Sequence, residues 1–379
     1  MDFQALTAER KQQLRRIADT RGHDVLVIAA DLSKNVPGIN TGLCYADIER
    51  VRDQLANLSG EGIDVILETP GGSGEVAEDV VHLIRGRFSA LGVIVPGWAK
   101  SAGTIMAMAA DEILMDPTSA FGPIDAQITW QGKVFSAEAL IQGLESIKRE
   151  VEESGVLNKA YIPMLQGISP GELQHARNAL DFGKKLVTNW LAEYKFRNWE
   201  IHASTGQPVT ADERRRRAKE IAAELCNHSR WLSHGRSIKM QDLKAMGLRI
   251  TDYSQSPELA DAIGRYHTLL RMTFSYTNAY KVFETPVSQL LDFLAPPMPA
   301  APGLPGQLSP DMVVANVQCH NCNTVSRVQF NLGKKQPVQA GNHPFPPDGK
   351  FRCPSCGTEH DLSGAKQQVE AQTKKRVVV

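Results

Sequence analysis

Residues 64–127 read DVILETPGGSGEVAEDVVHLIRGRFSALGVIVPGWAKSAGTIMAMAADEILMDPTSAFGPIDAQ, and this stretch decides the fold. An apolar run ends at Thr69. Pro70-Gly71-Gly72-Ser73-Gly74 then turns into a helical pattern over 74–88. A second apolar run, 91–97, leads through Ala99-Lys100-Ser101-Ala102-Gly103 into an Ala- and Met-rich helix. Upstream, DVLVIAADL (24–32) and a helical stretch at 45–59 repeat the unit. Short β-rich runs without polar alternation read as parallel strands buried on both faces. Strand–helix–strand repeats imply an α/β domain with a helix-covered sheet.

Both turns are suited to acyl chemistry. Glycine at 71 and 72 lets main-chain amides approach a ligand closely, and those amides precede a helix N-terminus, which favours developing negative charge. That combination builds an oxyanion hole from backbone alone. Ser101 falls at the second strand-to-helix turn, where its hydroxyl projects and the N–H of Ala102 joins Gly71 and Gly72 as a donor.

Strand–PGG–helix, then S-A-G-T, then A-A-D-E-I-L-M-D-P-T-S-A-F-G-P-I-D in this order resembles the ClpP/crotonase superfamily of serine peptidases. Signal peptide peptidase A shows a related S-A-G and A-A-D pattern. The sequence is most similar to the SDH-type (serine dehydrogenase proteinase) branch, which shares the helical lead at 7–22 and the Gly122–Asp125 phrase. RSIKMQDLKAMGLRITDY (236–253) looks like that family's closing segment, so the likeness covers about 7–255. It implies a ClpP/crotonase-like spiral of βαβ units with added helices, Ser101 as nucleophile, and a homo-oligomer enclosing its active sites.

A serine nucleophile needs a proton acceptor. ClpP-type enzymes place histidine where this chain has Asp125, and aspartate where it has His234. The SDH-type order of Ser, Asp, His fits Ser101, Asp125 and His234. A triad is defined by geometry rather than chain order. The rival is a Ser–Lys dyad like that of signal peptide peptidase A, with Lys159 as base. Lys133 and Lys148 are lesser candidates, and Lys100 adjoins the nucleophile.

Beyond residue 136 the chain reads as helical. Ser169-Pro170-Gly171-Glu172 caps a helix expected to reach about Phe196, and Thr210 and Ser256 open two more. APPMPAAPGLPGQLSP (295–310) is a semi-rigid linker. The expected organisation is a ClpP-like protease domain at 1–290, a Pro-rich linker at 291–312, a zinc ribbon at 313–362 and a basic flexible tail at 363–379. Cys319, Cys322, Cys353 and Cys356 form two C-x-x-C knuckles suited to a tetrahedral structural Zn²⁺ site. His320, His343 and His360 are bystanders once four thiolates are present. Arg327, Lys334, Lys335, Lys350 and Arg352, with Phe330, Phe345 and Phe351 interleaved, leave nucleic-acid binding as an open but less favoured use. Cys44 and Cys226 read as ordinary thiols.

Lys+Arg and Asp+Glu are equal at 42 each, which argues against non-specific nucleic-acid binding by the whole molecule. Apolar runs are too short to span a bilayer, and the polar N-terminal stretch is unlike a secretory signal, so a cytoplasmic protein without membrane contact is expected. The leading expectation is an endopeptidase, ATP-independent in itself, acting on protein or peptide through an acyl-enzyme on Ser101. The alternatives are a crotonase-like acyl-CoA enzyme and a non-catalytic zinc-ribbon scaffold or nucleic-acid adaptor.

Overall fold

The apolar runs lie side by side in one sheet. In the computed structural model, which describes residues 2–34, 36, 38–130, 133–202, 205–294, 311–373 and 375–379, the chain divides into two compact units, Met1–Ala295 and Pro296–Val379. The first is built on strands β1 (Asp24–Ala30), β2 (Gly62–Glu68), β3 (Ala90–Val95), β4 (Glu112–Met115), β5 (Thr251–Asp252), β6 (Ala279–Glu284) and β7 (Gln289–Phe293). Their order is β7-β6-β1-β2-β3-β4-β5. β1 to β5 are parallel, whereas β6 and β7 close one edge antiparallel.

Both faces of β1 to β4 are dry, which is why these strands show no polar alternation, whereas the edge strands β5 and β7 are only partly buried. Leu26 and Ile28 of β1 belong to one core, with α2 (Tyr45–Leu55), α3 (Gly74–Arg85) and α4 (Ala102–Ala107). Val25, Val27 and Ala29 point into the other, with α1 (Phe3–Arg21) and a long late helix, Pro257–Tyr276. Arg10 of α1 is fully buried there and pairs with buried Glu284, its Nε 2.9 Å from Oε1.

A second, smaller ladder runs across the C-terminal ends of the parallel strands. Leu43 pairs with Gly72, Thr69 with Ala99, and Phe121 antiparallel with Ile238. Trp98–Ala99 pairs with Ala120–Phe121. The segments that follow β2, β3 and β4 thus enter this ladder as the chain leaves the sheet, and Ile238 joins it before the chain reaches β5. Helices α5 (Ala137–Ser154) and α6 (Pro170–Trp190) follow, and the Ser169 capping box forms as expected. The last turn of α6 widens into a π-helical turn, Leu191–Lys195, before Phe196. α7 (Ala211–Cys226) starts at the Thr210 cap.

In the second unit β8 (Met312–Gln318) and β9 (Val325–Leu332) form a hairpin, and β10 (His343–Pro344) pairs with β9. β11 (Lys350–Arg352) pairs with β12 (Glu359–Asp361). The linker expected at 291–312 falls largely on 295–310, outside the described residues, while Gln289–Phe293 is sheet. The structure differs from the expectation for 363–379. Ser363–Thr373 is a helix, and Val377–Val378 pairs antiparallel with Asn331 and Leu332. Val377 is buried in the small core, with Ala365 and Val369 packed against it. Lys375 pairs with Asp311, and Lys374 lies outside the described residues. Phe330, Phe345 and Phe351 are also core, so none is available as a base-stacking platform. Lys334 and Arg352 are held by Asp311 and Glu359.

Candidate active site

Ser101 is one of three non-glycine residues with positive φ among those described, at φ 48° and ψ −113°. This conformation is costly for a side-chain-bearing residue and persists only where its surroundings enforce it. It is the backbone shape of a sharp strand-to-helix turn that presents a serine hydroxyl. The turn is enforced on two sides. The Lys100 N–H donates to the Thr69 carbonyl at 2.9 Å, and the Gly103 N–H to the Lys100 carbonyl at 2.8 Å. Thr104, fully buried, bonds through Oγ1 with the Ala99 and Gly122 carbonyls, each at 2.9 Å.

The glycine turn fits against this bend. A Cβ on Gly71 would lie 2.7 Å from Ser101 Cβ, and one on Gly72 would lie 2.3 Å from the Leu43 nitrogen. Side chains are therefore excluded at both positions. The three expected oxyanion donors separate. The Gly71 N–H is already directed at Thr69 Oγ1, at 3.2 Å. The Gly72 N–H meets no acceptor among the described residues. Ala102 opens α4, where amides have no intrahelical acceptor. Gly72 and Ala102 line the same cavity as Ser101, and Gly71 does not.

That cavity has a volume of about 650 Å³. Ile105, Ile124, Ile128 and Phe182 form its apolar wall, and Asp125 and His234 also line it. Asp125 is 1 % exposed. His234 Nδ1 lies 2.7 Å from Asp125 Oδ1, and His228 Nδ1 lies 3.1 Å from Asp125 Oδ2. Gln127 Nε2 donates to Oδ2 at 3.0 Å. Burial pushes the Asp125 carboxyl up, but bonding to His234, His228 and Ser136 outweighs it and holds the group below the usual carboxylate range. A buried carboxylate on Nδ1 fixes an imidazole with Nε2 free to accept a proton.

Residues distant in sequence meet here because the main chain is tied at both ends of one loop. The Ile124 N–H donates to the Leu225 carbonyl at 3.0 Å, while Phe121 and Ile238 exchange two bonds at 3.0 Å. Between those ties the chain carries His228 and His234. Trp231 is buried and its Nε1 donates to the Glu224 carbonyl at 2.8 Å, which anchors the loop. Lys100 Nζ reaches the Phe121 and Arg236 carbonyls at 3.0 and 3.1 Å and Ser237 Oγ at 3.0 Å. Burial, then the charge of Lys239, lowers its ammonium pKa to about 8. Lys100 thus braces the His234 loop from beneath the nucleophile turn.

Lys159 stands apart. It opens an exposed single turn, Lys159–Tyr161, and does not line the cavity. Lys133 is exposed too, and Lys148 is solvated beside Glu152. His228 was missed from sequence. The available signal was two histidines in the short loop before the closing segment.

The cysteines converge as well. Their four sulfurs lie within 4.8 Å of one another, with Cys319–Cys356 at 3.5 Å and Cys322–Cys353 at 3.6 Å. Four thiolates about 2.3 Å from a central zinc would stand about 3.8 Å apart. The two knuckles share one backbone form. The Asn323 N–H donates to the Cys319 carbonyl at 2.8 Å, and the Gly357 N–H to the Cys353 carbonyl at 2.9 Å. Thr324 and Thr358 hydroxyls lie 3.3 and 3.2 Å from the Cys322 and Cys356 sulfurs. The residues fit a metal of that size and softness.

Residues 1–155 match the model of the ClpP-like SDH-type serine proteinase family. Two uncharacterized proteins of Methanocaldococcus jannaschii are similar. One is 41 % identical over 188 residues, covering 50 % of this chain and 53 % of the relative. The other is 28 % identical over 155 residues, covering 38 % and 53 %. The chain thus spans about half the length of the curated relatives it matches. Among solved structures, a variant of the 1510-N membrane-bound stomatin-specific protease aligns at 14 % identity over 59 % of this chain and 83 % of its own, with a TM-score of 0.32. ClpP1 of Listeria monocytogenes, as a variant, aligns at 15 % identity over 65 % and 98 %, with a TM-score of 0.31. Among the described residues no helix is long and apolar enough to cross a membrane.

Proposed function

We propose that the protein is a serine endopeptidase using Ser101, His234 and Asp125, with Gly72 and Ala102 as oxyanion donors. The observation that carries this reading is the pairing of buried Asp125 with half-buried His234, at 2.7 Å, on the cavity that also holds the strained Ser101 bend. His234 Nε2 takes the Ser101 proton as Oγ adds to the peptide carbonyl. The oxyanion is received by the Gly72 and Ala102 amides. The proton then passes to the leaving amine, the C–N bond breaks, and an acyl-serine remains. Water, deprotonated by the same imidazole, releases the acid and restores Ser101. Asp125 stays ionised and fixes the tautomer. A homo-oligomer enclosing the sites is part of the reading, as is a structural Zn²⁺ on Cys319, Cys322, Cys353 and Cys356. The zinc would supply cross-linking of the small unit and no step of the reaction. The exposed position of Lys159 weighs against the dyad.

The test is labelling by a fluorophosphonate probe together with cleavage of a peptide library. Wild type should be labelled and active. Ser101→Ala should lose the label, and His234→Ala should lose at least a thousandfold in cleavage. Lys159→Ala should keep both. Full cleavage by Ser101→Ala would sink the enzyme assignment, and loss in Lys159→Ala with retention in His234→Ala would reinstate the dyad.

A further inference from the structure

Behind the glycine turn sits a buried ion pair that the chemistry above does not use. Lys281, on β6, is 3 % exposed and Asp47, on α2, is 1 % exposed. Lys281 Nζ lies 2.9 and 2.7 Å from the two Asp47 oxygens and donates to the Gly42 carbonyl at 2.7 Å. Asp47 Oδ2 also accepts from the Cys44 N–H at 2.9 Å. The pair therefore grips residues 42 and 44 on either side of Leu43. Burying an ammonium and a carboxylate is expensive, and an apolar pair of like volume often serves stability as well or better. A cost of that kind calls for something the pair positions.

Leu43 is what it positions. Its N–H donates to the Gly71 carbonyl at 2.7 Å, and its carbonyl accepts from the Ser73 N–H at 3.0 Å. These two bonds take the polar groups flanking Gly72 on one side of the extended segment. The N–H of Gly72 consequently has no partner there, and Gly72 lines the Ser101 cavity. The close fit of Gly72 on Leu43, where a Cβ would sit 2.3 Å from the Leu43 nitrogen, makes the register intolerant of displacement.

We infer that Lys281 and Asp47 are positioning residues for the oxyanion hole. Through Gly42–Cys44 they hold Leu43 against the glycine turn and so aim the Gly72 amide at the developing oxyanion. This inference rests on the serine-peptidase reading and names the support of its electrostatic element. Donors of that kind act only when placed in advance, because reorganising during the reaction forfeits their advantage.

The experiment uses the full chain with Lys281→Met, Asp47→Leu and the double variant. The single variants leave a buried charge unpaired and are expected to lose stability. The double variant removes both charges, but also the partners of the Gly42 carbonyl and of the Cys44 N–H at the start of α2, so it should keep the wild-type circular dichroism with a lowered melting temperature and be assayed well below it. Its kcat/KM should fall on the order of tenfold to a hundredfold, mostly in kcat. Affinity for a peptide aldehyde, whose adduct places an oxyanion in the hole, should fall in parallel. Amide exchange at Leu43 and Ser73 should quicken. A merely structural pair would move stability alone. A folded double variant with wild-type kcat/KM and aldehyde affinity overturns the clamp while leaving the peptidase reading intact. A wild type that neither takes the fluorophosphonate label nor cleaves peptide overturns both.

Discussion

The Ser101 site and the four-cysteine site assemble their side chains by opposite means. The cysteines come from two short turns of the same backbone form, each closed by a bond back to its own first cysteine carbonyl. Each half is local, and the sulfur spacing fits a metal that would join the halves. The Ser101 site draws Gly72, Ser101, Asp125 and His234 from separate crossings of the sheet. It is held by main-chain bonds between distant segments and by exclusion of side chains at the glycines. One site is cheap to encode, and the proposed metal would complete it. The other requires a whole domain to bring its residues together.

The largest expected effect comes from disrupting the proposed metal site at the four cysteines. A strong chelator, or Cys353→Ser, should unfold residues 313–379 and expose them to limited proteolysis. Structural zinc in small modules contributes on the order of 10 kcal/mol or more of folding free energy. Labelling at Ser101 should persist. Loss of the label under chelation would erase the contrast between the two regions.

A smaller effect is expected from crowding the bend. Gly71→Ala puts a Cβ 2.7 Å from Ser101 Cβ at a position with φ 118°. The strain should cost about 1–3 kcal/mol of stability, and displacement of Ser101 should slow fluorophosphonate labelling on the order of a hundredfold. The C-terminal unit should keep its own unfolding transition. Labelling at the wild-type rate would show that the glycine is a matter of turn geometry alone.

The smallest effect concerns Lys100, whose ammonium pKa is about 8 in the fold against an ordinary 10.5. Between those values the unfolded chain binds more protons than the native one, so this group raises stability as pH climbs from 8 towards 10.5. Lys100→Met removes that contribution. The melting temperature of wild type minus that of the variant should therefore grow from pH 7 to pH 10. A flat difference would mean that Lys100 keeps its ordinary titration and that the brace under the His234 loop is solvated.

The bend at Ser101 and its shared cavity with Gly72 and Ala102, the proposed nucleophile and donors, were legible because turn chemistry is written in adjacent residues. The four cysteines were legible for the same reason. Gly71 was read as a donor, whereas the structure spends its N–H on Thr69 Oγ1 and uses its missing side chain to admit Ser101. Asp125 and His234 enter through family resemblance, with Lys159 as the rival base, and in the structure Lys159 is exposed and away from the cavity. His228 and the Lys281–Asp47 pair carry no local pattern that marks them.

By itself, then, the amino-acid order determined the alternation of dry strands and covering helices, the two special turns and the metal knuckles, since each follows from spacing and backbone preference within a few residues. Only the tertiary structure decided that His234 and Asp125 line the same cavity as Ser101, which amide stays unpaired, and what lies behind the glycine turn. Those depend on where the sheet sets residues far apart in the chain. A few ångströms in that placement separate a hydrogen bond from a solvated side chain.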